Sequence, residues 1–282
     1  MSSGLPWRGP GQDRPDLPLP PDKMRLRRGG RFLKRWRYLG VFADEFLLCA
    51  ARVQVGPLGQ TFWVIYDREA GRMHEHTRLR LPGARGEVWT EDDVVHVMVG
   101  RSVRVKLRPG GGRPVETICP TPEGEYTWTR KSADIPLECD VRVDERRWRV
   151  EARGVEDESA GYHPRHTVWS WSAGVGETAD RRSVGWNLVS GINDPPERSE
   201  RSIWVDGEPF EPGPVSFEDL DAIAFDDGTR LRFEAECERD RRENLLFVRY
   251  TYRQPFGRFT GSLPGHELAR GQGVMEHHDA VW

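Results

Sequence analysis

The chain has 282 residues, of which 37% are hydrophobic and 31% charged, with 42 Lys and Arg against 45 Asp and Glu and a formal net charge of −3. That length allows one large core or two of ordinary domain size, and the composition is that of a soluble globular protein. No apolar run approaches the roughly 20 residues that cross a bilayer, and the N-terminus lacks the apolar core of a signal peptide. The expectation is therefore a cytoplasmic protein with no integral membrane segment and no nucleic-acid partner.

The chain opens with LPWRGPGQDRPDLPLPPD, too rich in Pro and Gly to form a regular element. It reads as an extended arm held to the body by Trp7 and Leu17. A basic run follows, with Lys23, Arg25, Arg27, Arg28, Arg31, Lys34, Arg35 and Arg37. Such a run can attract nucleic acid or an anionic membrane. The preferred reading is a solvated entry segment whose arginines cover the floor of a barrel or pair with acids elsewhere.

From Trp36 onward the dominant period is two. FLLCAARVQV, QTFWVIYD, VVHVMVG and RSVRVKLR each predict a strand, the last alternating Val103, Val105 and Leu107 with Arg104 and Lys106. LECDVRVD and RRWRVEARG, joined by Asp144-Glu145, predict a hairpin. HTVWSWSAG, RSVGWNLVSG, RSIWVDGEPF, LRFEAEC and NLLFVRYTYR continue the habit, with turns at Asp206-Gly207 and Asp227-Gly228. Only SFEDLDAIAF has a helical look. Many short strands between turn signals predict barrels or sandwiches. Cys49, Cys119, Cys139 and Cys237 are widely spaced without a C-x-x-C pair, which excludes a zinc ribbon and a redox dithiol. Cys139 and Cys237 are expected as reduced core or near-core thiols.

Candidate chemistry concentrates in two segments, GYHPRHTVWSWSAG and GVMEHHDAVW. Of the eight histidines, His163, His166, His277 and His278 lie there, beside Glu276, Asp279, Trp169, Trp171 and Trp282. The three-residue spacing of His163 and His166, next to a proline, is not the helical H-E-x-x-H pattern of a zinc protease. Three readings stay open. The histidines and Glu276 hold a metal, they act as general acid or base, or they tie strands together. Adjacent residues on a strand point to opposite faces, so His277 and His278 cannot both enter one barrel without a bulge. Trp169 and Trp171 share a strand face and suit either a ligand cavity or plain core. Asp157 and Glu158, ahead of the histidines, are loop acids or, beside aromatics, proton donors. Gly174-Val175-Gly176 precedes no helix, and there is no P-loop, no G-x-S-x-G elbow and no kinase set.

TWTRK (127–131), DESAGYHPRHTVWSWSAG (157–174), GWNLVSGINDPPERSERSIWVDG (185–207), QPFGRFTGSLPG (254–265) and GVMEHHDAVW (273–282), with the opening LPWRGPG, resemble a bacterial domain-of-unknown-function family. That family is distantly similar to the hydroxyneurosporene synthase (carotenoid 1,2-hydratase) group, which includes cofactor-free hydratases, cyclases and Diels–Alderases. The resemblance implies an all-β protein of two packed antiparallel lipocalin-like barrels. The arm covers 1–35 and the barrels 36–165 and 166–282. It also implies Asp157, ahead of Trp169 and Trp171, as counterpart of an Asp proton donor. The resulting expectation is a cofactor-free lyase or isomerase, of hydratase or cyclase type, on a largely apolar small molecule. The alternatives are a non-catalytic binder of a lipid or hydrophobic small molecule and a metal-dependent enzyme. The candidate catalytic residues are Asp157, His163, His166, Glu276 and His277. The candidate ligand contacts are Tyr162, Arg165, Trp169, Trp171, Trp186, Asn187, Asn193 and His278. No metal ligand is assigned. His163, His166, Trp169, Asn187, Glu276 and one of His277 or His278 are expected to converge on one pocket.

Overall fold

Alternation becomes burial along these strands. Val103, Val105 and Leu107 are buried while Arg104, Lys106 and Arg108 between and after them are exposed. The computed structural model describes residues 4–11, 13–80, 86–245 and 248–282, and contains no helix among them. None is therefore long and apolar enough to cross a membrane.

The arm carries three two-residue strands, β1 (Trp7–Arg8), β2 (Arg27–Arg28) and β3 (Arg31–Phe32). The first sheet continues with β4 (Lys34–Phe42), β5 (Phe46–Val55), β6 (Leu58–Asp67) and β7 (Arg72–Arg80), then β8 (Val88–Glu91), β9 (Val94–Val99), β10 (Val103–Pro109), β11 (Val115–Pro120), β12 (Tyr126–Val143) and β13 (Arg146–Gly161). Its order is β7-β6-β5-β4-β13-β12-β10-β9-β8, with β11 beside the first half of β12 and β1 on β11. The second sheet holds β14 (His166–Thr178), β15 (Ser183–Ser190), β16 (Ser202–Val205), β17 (Glu208–Phe210), β18 (Val215–Glu218), β19 (Ala222–Phe225), β20 (Arg230–Leu245), β21 (Val248–Leu263) and β22 (His266–Val281). Its order, β17-β16-β15-β14-β22-β21-β20-β19-β18, repeats the first topology. In each, the last long strand returns to pair with the first, β13 on β4 and β22 on β14. The two curled meanders are the two packed antiparallel barrels expected from the sequence.

Both faces of the central strands are buried, which is why they read as near-continuous apolar runs. In β5, Phe46, Leu48 and Ala50 fill the first barrel, while Leu47, Cys49 and Ala51 join a core shared with Trp169, Trp171, Ala173, Val189, Phe256 and Val274 of the second sheet. The second barrel has its own core around Trp186, Phe259 and Met275. The arm packs Trp7, Leu19, Met24 and Leu33 on Ile118, Tyr126, Trp128 and Tyr162, with Leu17 partly buried against them. The cysteines are free thiols, with Cys49, Cys119 and Cys139 buried and Cys237 half-buried.

Asp206 and Gly207 both take positive φ in the β16–β17 turn, as a tight hairpin of this type requires. SFEDLDAIAF departs from expectation. It forms the β18–β19 hairpin, closed at Glu218↔Ala222 with Asp219 at positive φ. Leu220 in that turn folds back into the second-barrel core, so Phe217, Leu220 and Ile223 mimic helical spacing without a helix. NLLFVRYTYR is shared between two strands, β20 and β21, which pair at Leu245↔Val248; residues 246 and 247 lie outside the described residues.

Close approach of strands leaves no room for side chains at some positions facing the second-barrel core. Gly174 faces Trp186 on β15 and Gly273 on β22. A Cβ on Gly174 would sit 2.3 Å from the Trp186 ring and 2.6 Å from the Gln272 carbonyl oxygen. Gly174→Ala should therefore destabilise the protein by about 1–3 kcal/mol, the usual range for overpacking. Denaturant midpoints measure it, and an unchanged midpoint would show that the strands part easily here.

Candidate active site between the barrels

A cavity partly open to solvent lies where the two sheets face each other, with about 690 Å³ of atom-free space counted out through its mouth. The first sheet contributes Trp36 and Tyr38 from β4, Phe62 from β6, Lys131 from β12 and Asp157 from β13. The second contributes Trp169 and Trp171 from β14, Tyr252 from β21, and Glu276 and His278 from β22, with Asn193, Glu200 and Trp282 completing the wall.

Strand register sets most of this. Trp169 pairs with His278, Trp171 with Glu276, and Tyr252 again with His278, so one face of three adjacent strands carries all five side chains. A bulge sets the rest. β12 shifts register between Ala133 and Ile135, with Asp134 at positive φ. Past the bulge Ile135, Leu137 and Cys139 fill the first barrel, whereas Lys131, of the same parity, is turned to the cavity.

Glu276 is an acid perturbed by burial at the apolar wall of the cavity. Its carboxylate accepts Trp169 Nε1–H at 2.9 Å and Gln254 Nε2–H at 3.0 Å. Burial pushes it up from 4.5 to about 7, against the hydrogen bonds from Trp169, Tyr252 and Gln254 and with a further rise from the Asp157 charge. Among the described residues no cation lies within ion-pair distance of it. His278 and His163 are driven down to about 3, in both cases first by burial, and so are neutral imidazoles near neutral pH. Burial pushes the Cys49 thiol up to about 12, too high for a thiolate nucleophile. On this wall of the cavity Glu276 is thus an acid poised to exchange its proton near neutrality, with neutral donors or acceptors around it.

A charged cluster forms the opposite wall. Lys131 Nζ lies 2.5 Å from Asp157 Oδ1 and 3.4 Å from Glu200 Oε1. Burial works against the Lys131 ammonium, but Asp157 and then Glu200 outweigh it and hold its pKa above the ordinary value. Asn193 donates to Glu200 Oε2 at 3.1 Å and accepts from the Thr127 hydroxyl. The aromatic walls are ordered as well, with Trp36 stacked parallel to Trp169 at 6.3 Å and Tyr38 edge-on to Trp171 at 5.4 Å. Within this packing the Tyr38 hydroxyl meets the Cys49 thiol, and His278 Nε2 is buried without a hydrogen-bond partner among the described residues.

Of the residues singled out from the sequence, Asp157, Trp169, Trp171, Asn193, Glu276 and His278 line the cavity. Asn187 stands behind it, accepting Trp171 Nε1–H at 2.8 Å and donating to the Glu200 carbonyl at 3.0 Å. His163 is buried one layer back against Trp36, ring centroids 5.3 Å apart. The others lie elsewhere. His166 is exposed and bonded to Asp279 at 2.8 Å, in a surface cleft it shares with Arg165. His277 faces away from the cavity, as alternation next to His278 requires, and meets Ser170 Oγ at 3.1 Å. Trp186 belongs to the second-barrel core against Phe259, and the Tyr162 hydroxyl donates to the Arg25 carbonyl under the arm. Of the residues expected to converge on one pocket, Trp169, Glu276 and His278, the one of His277 or His278 that enters, line the cavity, whereas His163 and Asn187 stand behind it and His166 lies apart on the surface. The reason is strand parity for His277 and, for His166, its place at the start of β14. Among the described residues no three His, Cys, Asp or Glu side chains form a group that could hold a metal ion. Tyr38, Lys131, Glu200, Tyr252 and Gln254 were missed. The signals were present, with Lys131 ending TWTRK and Tyr252 two residues before Gln254, but a bulge and a distant strand partner had to be known.

The family model described as "Domain of unknown function (DUF2804)" matches residues 100–282. The chain belongs to that family. No curated protein matches it in sequence. Among solved structures it is similar to kievitone hydratase from Nectria haematococca, with a TM-score of 0.50 at 10% identity over 88% of each chain. CghA with Sch210972 superposes at a TM-score of 0.45 and 8% identity, again over 88% of each chain. The first likeness is one of fold, and agrees with the two lipocalin-like barrels.

Proposed function

We propose that the cavity between the barrels binds a largely apolar small molecule and that Glu276 transfers a proton to or from it, in a lyase or isomerase reaction of hydratase or cyclase type. The observation that carries this is a carboxyl held near neutrality at an aromatic-walled cavity, within hydrogen-bonding distance of indole and amide donors but with no cationic partner among the described residues. A pure binding pocket gains nothing from such a group, because burying an ionisable acid costs stability. His278 Nε2, without a partner among the described residues, supplies a further polar contact, which suits a substrate with an oxygen function on an otherwise apolar frame. Kievitone hydratase, by its name a hydratase, shares the fold, which makes the reading chemically consistent. Lys131, Asp157 and Glu200 hold the far wall rather than act on the proton.

The test is incubation in D₂O with apolar compounds bearing a C=C bond conjugated to a phenol or carbonyl, followed by mass spectrometry. Deuterium or water incorporation that disappears in Glu276→Gln supports the reaction. Compounds that bind saturably but return unchanged with the native protein would favour the non-catalytic binder.

A further inference from the structure

The lumen of the first barrel changes character along its length. On β4, Val41 and Leu39 face the apolar core, and the same face continues upward as Arg37 and Arg35. On β5 the sequence on that face runs Leu48, Ala50, Arg52, Gln54. The barrel mouth is therefore a cleft, of about 1430 Å³ of atom-free space open to solvent, where Arg35, Arg37, Arg52 and Arg80 face a single lining carboxylate, Glu158. Arg37 pairs with Glu156 and Glu158. Among the described residues neither Arg35 nor Arg52 has a carboxylate within ion-pair distance, and the residues outside the described set, at 1–3, 12, 81–85 and 246–247, include no Asp or Glu.

This arrangement costs the fold something. Arg37 and Arg52 sit directly opposite each other across the β4–β5 ladder, and like charges so placed destabilise a sheet. Arg52 is held below its ordinary value first by burial and then by the charges of Arg80, Arg35 and Arg37, with no acid to offset them. Thr61, the cross-strand partner of Arg52 on β6, is buried with its hydroxyl unpartnered among the described residues. A stable barrel needs none of these features, whereas a multiply charged anion would satisfy Arg35 and Arg52 together.

We propose that the mouth of the first barrel is a binding site for a small organic anion of two or more charges, a phosphate ester or a polycarboxylate. The arginines line a concave mouth bounded by Pro20 and Leu26 of the arm and by Trp128, which suits a small molecule rather than a polymer. The site adjoins the cavity between the barrels, with Trp36 and Val53 lining both, but its arginines are on the other face of the sheet. β4 presents Arg35 and Arg37 on one face, and Trp36 and Tyr38 on the other.

Isothermal titration calorimetry of the full chain with inorganic pyrophosphate, and separately with citrate, at constant ionic strength tests this. The expected result is saturable binding of one anion per chain. Arg52→Gln and Arg35→Gln should each weaken it by about tenfold or more, as loss of a charge-assisted hydrogen bond does. Arg104→Gln, exposed on the outside of β10, should leave it unchanged. The ligand-free Arg52→Gln protein should melt no lower than the native one, because a like-charge contact is relieved; a merely structural arginine would lower the melting temperature. Preference for pyrophosphate or for citrate tells a phosphate ligand from a carboxylate. The proposal is overturned if neither anion gives heat beyond that of matched sodium chloride, if Arg52→Gln binds as well as the native protein, or if a single-stranded oligonucleotide displaces both anions.

Discussion

Glu276→Gln should reduce turnover of the proposed substrate by about 10²–10⁴-fold, the usual contribution of a positioned general acid or base. It should also change how stability depends on pH, a readout that needs no substrate. Glu276 has its folded pKa raised from 4.5 to about 7, so between those values the folded state binds more protons than the unfolded one. Native stability therefore falls as pH climbs through that window, and the penalty is fully present above about 7 and absent below 4.5. The difference between the two values corresponds to about 3 kcal/mol, an order-of-magnitude figure. Glutamine at 276 cannot ionise, so the variant should gain about that much relative to the native protein on going from pH 4.5 to pH 8. Its absolute stability also reflects the new amide facing Gln254 Nε2, which is why the change with pH is the measure. Urea unfolding at a series of pH values gives it. A constant difference between the two proteins would mean that Glu276 ionises as an ordinary carboxylate, and the proton-transfer proposal would fail with it.

The strands were legible because alternation is a local property. Val103 to Leu107 and the β12–β13 hairpin can be read from a dozen residues at a time. The pairing of Trp169 and Trp171 with His278 and Glu276 was half legible. Both segments were visible as unusual chemistry, and parity showed that only one of His277 and His278 could enter. What parity could not show is which one, since that depends on the register of β22 against β14, fixed by residues more than a hundred positions apart. Lys131 was hidden for a different reason. A strict period of two groups it with Leu137 and Cys139 as a barrel-filling position, and only the extra residue at Asp134 turns it to the cavity. The helical look of SFEDLDAIAF failed because Leu220 returns to the core from a turn, a long-range contact that imitates local periodicity.

Lys131→Met should be among the most destabilising single changes in the chain. The ammonium is 2% exposed and serves two carboxylates, Asp157 at 2.5 Å and Glu200 at 3.4 Å. Removing one partner of a buried ion pair typically costs about 3–5 kcal/mol, because the remaining charge stays desolvated without compensation. Methionine fills the volume, so the loss is electrostatic rather than a cavity effect. In the native protein the Lys131 ammonium itself stays charged across neutral pH. Lys131 has its folded pKa raised, so its stabilisation is complete below the unfolded value of 10.5 and is lost only as pH rises through the folded one. In the variant, by contrast, one of the two stranded carboxylates can take up a proton, and the deficit should shrink as pH falls from 8 towards 5. Neutralising the whole cluster as Lys131→Met, Asp157→Asn and Glu200→Gln should recover most of the loss, since an uncharged cluster has no charge left to solvate. Equilibrium unfolding of the single and triple variants at pH 8 decides the matter. A triple variant no more stable than Lys131→Met would show that the lysine acts through packing, and that the charges on this wall of the cavity are not what holds the barrels in register.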